Sequence, residues 1–406
     1  MIIGKPNIKL CGMPAAEQKE RKRDYPMLEV IENNPSRLVQ DRLRMADWNF
    51  ADRRNGHAVE AIHPYPAKFI PEIPKALLSA LPMPDGTAVL DPFCGSGTTL
   101  AEAQRLGLPS VGIDLNPIAC LISRVKTAPA PLNLDRMAEA IADAARSNRD
   151  PMRWDIPNVD HWFKPEIQDA IAALVQEIGI RQSGSDDALR LALSSIIVRV
   201  SNQESDTRYA AIDKPVTKSD VFDYFFAACQ KISRALTTRE WEPLPQPRVI
   251  EADTLQVDPT AIGMPVGMVI TSPPYPNAYE YWLYHKYRMW WLGFDPLVVK
   301  SQEIGARAHF FKREHHTEEN FLDQMRSTFA LINSVLVDLG FACFVIGRSK
   351  IHGRIIDNAE IIQAVAEEQG LSLISRFERV ISANRKSFNL SYAKIKTETI
   401  IVFQKK

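Results

Sequence analysis

Cysteine is scarce in this sequence and nowhere paired. Cys11, Cys94, Cys120, Cys229 and Cys343 are scattered over 406 residues, odd in number and without a CxxC spacing, which argues against a disulfide framework and a structural zinc site. No apolar run approaches the roughly 18 residues that a membrane-spanning helix needs. The polar, charge-rich N-terminus offers no apolar core for a secretory signal, so a cytoplasmic setting is expected. Net charge is missing too: 49 Lys and Arg stand against 49 Asp and Glu, so any surface for a polyanion must be local. The densest candidate is the C-terminal stretch carrying Arg376, Arg379, Arg385, Lys386, Lys394, Lys396, Lys405 and Lys406, opposed only by Glu378 and Glu398; a solvated charged surface is the other reading. Internal repeats, low-complexity tracts, the dinucleotide pattern GxGxxG and the Walker pattern GxxxxGK[ST] are all absent.

What is present is an α/β pattern. Hydrophobic residues at 45% and charged residues at 24% suit a globular chain of one large domain with an insertion, or of two domains. Residues 1–56 read as a polar N-terminal extension without recognisable chemistry. HPYPAKFIPEIPKALLSALP opens with prolines that forbid an early helix and continues with apolar spacing at Ile73, Leu77, Leu78 and Leu81, a loop followed by a helix. TAVLDPFCGSGTT is a short apolar strand running into a glycine turn, LAEAQRLG a helix stopped at Gly107, and SVGIDLNP a second strand. Together they form a βαβ unit, the opening of a doubly wound parallel sheet.

Residues 127–247 change to helical periodicity, in PLNLDRMAEAIADAARS, KPEIQDAIAALVQEI, DDALRLALSSIIVRVSN and KSDVFDYFFAACQKISRAL. Strand patterns return at RVIEADTL, GMVITSPPY, GFACFVIG, LISRFERVIS and ETIIVFQKK, with ENFLDQMRSTFALINSVLVDL and NAEIIQAVAEEQG as intervening helices. The expected organisation is therefore a sheet domain over 57–126 and 248–406, interrupted by a helical insertion over 127–247.

In DPFCGSGTT, Gly95 and Gly97 let the backbone pass close to a ligand at the strand's C-terminal edge, and Asp114 after the next strand suits a ribose diol. The strand ending in Ser272-Pro273-Pro274-Tyr275 is the sharpest signal. Two prolines fix φ and remove two donors, leaving a rigid turn whose carbonyls are free to accept from a ligand.

DPFCGSGTT resembles motif I of the amino-methylating DNA methyltransferases, and SPPY resembles their catalytic tetrapeptide. The resemblance covers residues 60–125 and 249–406. It implies a class I methyltransferase (Rossmann-like) fold, a seven-stranded α/β sheet here carrying a large helical insertion, with S-adenosyl-L-methionine as cofactor and no metal. It places Asp91 near the methionine amino group, wraps Pro92, Phe93, Gly95, Ser96, Gly97 and Thr98 around the cofactor, sets Asp114 on the ribose hydroxyls and turns Asp253 toward the adenine amine. HPYPAKFIP resembles the segment that closes the methionine end, making Lys68 and Phe69 further cofactor candidates. For the tetrapeptide it implies that the Ser272 side chain and the Pro273 carbonyl accept from the target NH₂ while Tyr275 stacks on a base flipped out of double-stranded DNA. Ser at the first position is more typical of cytosine-N4 enzymes, whereas DPPY and NPPY are more typical of adenine-N6 enzymes, so N4 is expected, with N6 or an RNA amine as alternatives. A catalytically inactive cofactor-binding protein is the non-enzyme alternative, against which the intact tetrapeptide speaks.

Attack by an amine needs no covalent enzyme intermediate, and the Pro-Cys dipeptide used by C5-cytosine enzymes is absent; Cys94 reads as a small packed residue. His315 and His316 lack a third ligand at a familiar spacing. Target recognition is expected of the insertion, where SNQESDTRYAAIDKP offers Arg208, Tyr209 and Lys214 as DNA contacts; Arg385 and Lys386 are further candidates. In the aromatic run YEYWLYHKYRMWWLG, stacking against bases is conceivable, but a helix packing its rings into the core is the expectation. Family habit adds a cognate restriction enzyme as partner, while the target sequence and oligomeric state are not legible.

Overall fold

A computed structural model of the chain describes residues 35–50, 56–181, 186–206, 208–277, 279–311, 315–381 and 397–406. Seven strands form its main sheet: β1 (Ala88–Asp91), β2 (Ser110–Asp114), β3 (Arg248–Glu251), β4 (Val266–Thr271), β5 (Leu336–Gly347), β6 (Leu371–Val380) and β7 (Thr397–Lys405). Their order across the sheet is β6-β7-β5-β4-β1-β2-β3, with β7 antiparallel to both neighbours and every other pairing parallel. The chain winds outward in both directions from β1 and β4. Their C-terminal ends form the topological switch point, the place where open α/β sheets bind ligands. This is the seven-stranded class I methyltransferase arrangement.

Helices cover both faces. On one side α1 (Pro35–Met45) and α2 (Glu72–Ala80) pack Val39, Leu43, Ile73 and Leu77 against Val89, Ile270 and Val402. The segment expected as an extension thus contributes α1 and the buried Trp48 to the sheet's own core. Next in the chain come α3 (Thr98–Arg105), entered through Gly97 at φ +73°, and α4 (Pro117–Thr127), started by an Asn116 cap and proline at its first position.

The insertion supplies α5 (Leu134–Ser147), α6 (Pro165–Arg181), α7 (Asp186–Val200) and α8 (Lys218–Thr237), the last opened by a Thr217–Asp220 capping box. The SNQESDTRYAAIDKP stretch holds a hairpin, Gln203–Ser205 against Arg208–Ala211. Beyond β4 lies α9 (Tyr281–Trp291), which is the aromatic run; Trp282, Tyr287, Met289 and Trp291 are buried in one cluster with α4 and the insertion helices. The far face of the sheet is covered by α10 (Glu318–Val335) and α11 (Asn358–Glu368), with Phe329 stacked on Phe344 at 4.8 Å.

One helix boundary differs from expectation. The apolar period of ENFLDQMRSTFALINSVLVDL runs to Leu339, yet the helix ends at Val335 and β5 begins at Leu336. An irregularity follows, in which Val266 pairs with Leu336 but Met268 with Phe341, and Leu339 takes φ +62° with its side chain exposed. Strand pairing with β4 overrides the helical period there.

Candidate active site

The switch point opens into a cleft of about 440 Å³. Its walls bring together Lys68, Phe69, Asp91, Phe93, Gly95, Ser96, Thr98, Asp114, Asp253, Ser272, Pro273, Pro274 and Tyr275 from five separate stretches of sequence. Pro92 and Gly97 stand just behind. The Pro92 carbonyl accepts from Thr254 Oγ1, tying the glycine turn to the Asp253 loop, and Gly97 sits against Ser123, where a Cβ would lie 2.7 Å from the hydroxyl oxygen.

Two buried aspartates anchor the turn. Asp91 Oδ1 accepts from Thr271 Oγ1 at 2.7 Å and from Phe93 N at 3.1 Å, so it clasps β4 to β1 immediately before the tetrapeptide. Asp114 Oδ2 accepts from Gly95 N and its Oδ1 from Asn116 N, both at 2.8 Å. Burial pushes each carboxyl up to about 6, against the lowering effect of these hydrogen bonds. Gly95 adopts φ +50°, and a Cβ there would lie 3.1 Å from the Tyr65 hydroxyl. Asp253 lines the cleft while its Oδ1 accepts from Leu255 N at 2.9 Å, a turn contact of its own. Lys68 donates Nζ to the carbonyls of Glu60 and His63, and burial lowers its pKa to about 8.

The tetrapeptide is braced from the C-terminal hairpin. Tyr275 donates its hydroxyl to Glu398 Oε1 at 3.0 Å, and Glu398 Oε2 pairs with Arg379 across β6 and β7. Arg379 also donates Nε to the Trp48 carbonyl. The C-terminal basic stretch consequently forms no continuous basic face among the described residues: Arg379 is buried, Arg376 pairs with Asp357, and Lys405 donates to the carbonyls of Asn333 and Leu336.

Further residues at and behind the cleft are not among the candidates drawn from the sequence. Glu303 is buried and accepts from the N–H groups of Tyr281 and Trp282 at 2.9 and 2.7 Å, capping α9; burial raises its carboxyl to about 8. Tyr65 stacks on Tyr281 with ring centroids 5.8 Å apart. Gly305, at φ +70°, lies against the backbone of the tetrapeptide, where a Cβ would sit 2.9 Å from the Tyr275 carbonyl oxygen.

The insertion's candidates lie apart from the cleft. Arg208 is exposed and paired with Glu204 at 2.6 Å; Tyr209, 39% exposed, packs on Trp162 and Tyr287; Lys214 turns inward, donating to the Val198 carbonyl at the end of α7. Arg385 and Lys386 lie outside the described residues. Cys94 is buried in the glycine turn, and burial pushes its thiol well above the ordinary range, which suits packing and not a nucleophile. Among the described residues no three His, Cys, Asp or Glu side chains cluster as metal ligands would, and no helix is long and apolar enough to cross a membrane.

A family model described as DNA methylase, of the N6 and N4 type, matches residues 5–124 and 266–406. The chain belongs to this DNA methylase family. The unmatched stretch contains the helical insertion of this family member. Three type II methyltransferases show the spread of its relatives. M.MjaII of Methanocaldococcus jannaschii is 33% identical over 27% of this chain and 23% of its own length. M.MvaI of Kocuria varians is 32% identical over 26% of each. M.BsoBI of Geobacillus stearothermophilus is 24% identical over 58% of this chain and 53% of its own. The matched stretches thus span about a quarter of the first two relatives and about half of the third.

Proposed function

We propose that this DNA methylase transfers a methyl group from S-adenosyl-L-methionine to the exocyclic amine of a base flipped out of duplex DNA, with cytosine N4 as the target. The observation that carries the reading is the meeting of the Ser272–Tyr275 turn with the Asp91–Asp114 wall in one cleft at the switch point.

The residues suit the cofactor. Asp91, Asp114 and Glu303 present carboxyls in a site where burial disfavours their charge, so a cationic ligand is favoured. Thr98 Oγ1 and Asn116 Nδ2 are buried beside the cleft without a hydrogen-bond partner, and a polar ligand would satisfy them. S-adenosyl-L-methionine, when bound, supplies a methyl group on a sulfonium sulfur. In this reading Asp91 faces the methionine ammonium, Asp114 the ribose hydroxyls and Asp253 the adenine amine. Pro92, Phe93, Gly95, Ser96, Gly97 and Thr98 form the enclosing turn, and Lys68 and Phe69 close the methionine end.

On the other side of the cleft, the Ser272 hydroxyl and the Pro273 carbonyl accept from the two N–H bonds of the target amine. The Pro-Pro backbone fixes the Pro273 carbonyl, so the nitrogen's lone pair is localised and aimed with little further reorganisation of the turn. Tyr275 offers its ring to the flipped base, and its tie to Glu398 fixes that ring. Ser at the first position supports cytosine N4 over adenine N6. Transfer from a sulfonium to an amine needs neither metal nor thiolate. The insertion over 127–247, all of which the family model leaves unmatched, is assigned to target recognition, and a restriction enzyme as partner is suggested by the names of the type II relatives.

The test is product analysis. Purified protein, duplex DNA and methyl-labelled cofactor without added metal should yield N4-methylcytosine after digestion. Ser272→Ala should slow transfer by about 10²-fold or more, as loss of one preorganised polar contact does. N6-methyladenine would keep the amine chemistry and change the base; C5-methylcytosine, or full activity in Ser272→Ala, would overturn the mechanism.

A further inference from the structure

One stripe of α9, running from the buried Trp282 to the half-buried Lys286 and Trp290, sets cations on aromatic rings. Trp282, Lys286 and Trp290 follow one another at four-residue spacing on a single side of the helix. Lys286 Nζ lies 4.7 Å from the Trp290 ring centroid, 5.4 Å from that of Tyr287 and 5.9 Å from that of Tyr209. Lys300, on the short helix Pro296–Gln302 that follows, lies 5.1 Å over Trp282. Among the described residues neither ammonium joins a carboxylate in an ion pair, although the chain as a whole balances 49 basic residues with 49 acidic ones. Burial, and then the neighbouring Lys300 charge, hold Lys286 below its ordinary pKa.

The stripe is also well placed. Tyr281, the first residue of α9, lines the cleft, and Lys286 follows five residues on, about 7.5 Å along the helix axis. Val299 and Gln302, on either side of Lys300 in sequence, line the same cleft, so backbone flanking a nucleotide held there would pass beside this pair. Tyr209, nearly parallel to Tyr287 at 8° and 6.3 Å, brings the insertion's hairpin to the same place.

We infer that Lys286 and Lys300, held on the ring platform of Trp282, Trp290, Tyr287 and Tyr209, grip the phosphate backbone of duplex DNA beside the cleft. The inference rests on the DNA reading above and adds the surface that serves it. Rings beneath the two side chains restrict them before DNA arrives, so less ordering remains to be done on binding. Phosphate contacts of this kind position the duplex without reading its sequence.

The experiment compares wild type with a Lys286→Gln/Lys300→Gln double variant, titrating a mixed-sequence DNA duplex between about 50 and 200 mM salt. Losing two phosphate contacts should weaken binding about 10- to 100-fold near 0.1 M salt and make the slope of log K against log salt shallower by about 1.8. Cofactor affinity and the thermal transition should be retained. An unchanged slope in such a variant overturns the inference, as does a slope that changes only with an RNA duplex. Wild-type protein that binds no duplex at all would overturn the DNA reading as well, so the two failures are distinguishable.

Discussion

Asp114 already spends one lone pair of each carboxylate oxygen on a backbone N–H, from Gly95 and from Asn116. Those bonds fix its plane and leave the remaining lone pairs for a ligand. Asp114→Ala removes both the ligand contacts and the clasp on the glycine turn, so S-adenosyl-L-methionine affinity should fall by about 1 to 3 kcal/mol, as read by calorimetry on a variant whose thermal transition persists. Unchanged affinity would show that this carboxylate does not face the cofactor. The aspartate was legible in the sequence because its spacing from the glycine turn is set by one local βαβ unit. Glu303 and Arg379 were not. Each reaches the cleft from a distant stretch, and nothing in SQEIGAR or ISRFERV signals an approach that only the folded sheet creates.

Among the elements, the turn after β4 depends on a neighbour with no side chain. Gly305 lies so close to the Tyr275 carbonyl that Ala at this position must adopt left-handed φ and push against main chain, with a Cβ 2.9 Å from that oxygen. Gly305→Ala should cost about 1 to 3 kcal/mol of stability. It should also lower the methyl-transfer rate with cofactor affinity nearly unchanged, because the strain falls on the tetrapeptide and not on the glycine turn. Denaturant titration and single-turnover kinetics would check the pair; a variant with wild-type rate would mean that the turn holds its shape unaided. Long periodic elements were readable from sequence, and α5 to α8 lie where their apolar stripes place them. The Gln203–Ser205/Arg208–Ala211 hairpin escaped because its strands are three and four residues long and polar, too short for alternation to register. The start of β5 escaped because VLVDL continues a helical period that strand pairing then overrides.

For the whole molecule, the cleft stores unfavourable charge. Asp91 and Asp114 are raised to about 6 and Glu303 to about 8, so the folded protein holds protons that the unfolded chain would release. A raised carboxyl contributes stability that is complete below its unfolded pKa and is lost as pH rises through the folded value. The ligand-free protein should therefore lose stability between about pH 4 and 8, the upper part of that fall belonging to Glu303. Glu303→Gln, which replaces one of the two oxygens facing the α9 N–H groups with an amide nitrogen, should show a flatter denaturation midpoint between about pH 6 and 8 than wild type. Equal slopes in the two proteins would show that Glu303 titrates as an ordinary glutamate.

If the insertion recognises the target, as proposed, the shared core of α4, the insertion helices and α9 has a consequence for how that target could change. Trp282, Tyr287, Met289 and Trp291 lie in the same apolar cluster as Ile141, Ile171, Leu193 and Phe225, so the insertion is continuous in packing though discontinuous in sequence. Recombination at the insertion's two ends would leave those rings facing a foreign surface, with the loss of fit that a mismatched core entails. The heritable cassette is accordingly larger than the insertion and includes α9, the helix that begins at the cleft. A lineage that acquires a new recognition element by exchange must also acquire, or rebuild, the wall beside its own chemistry.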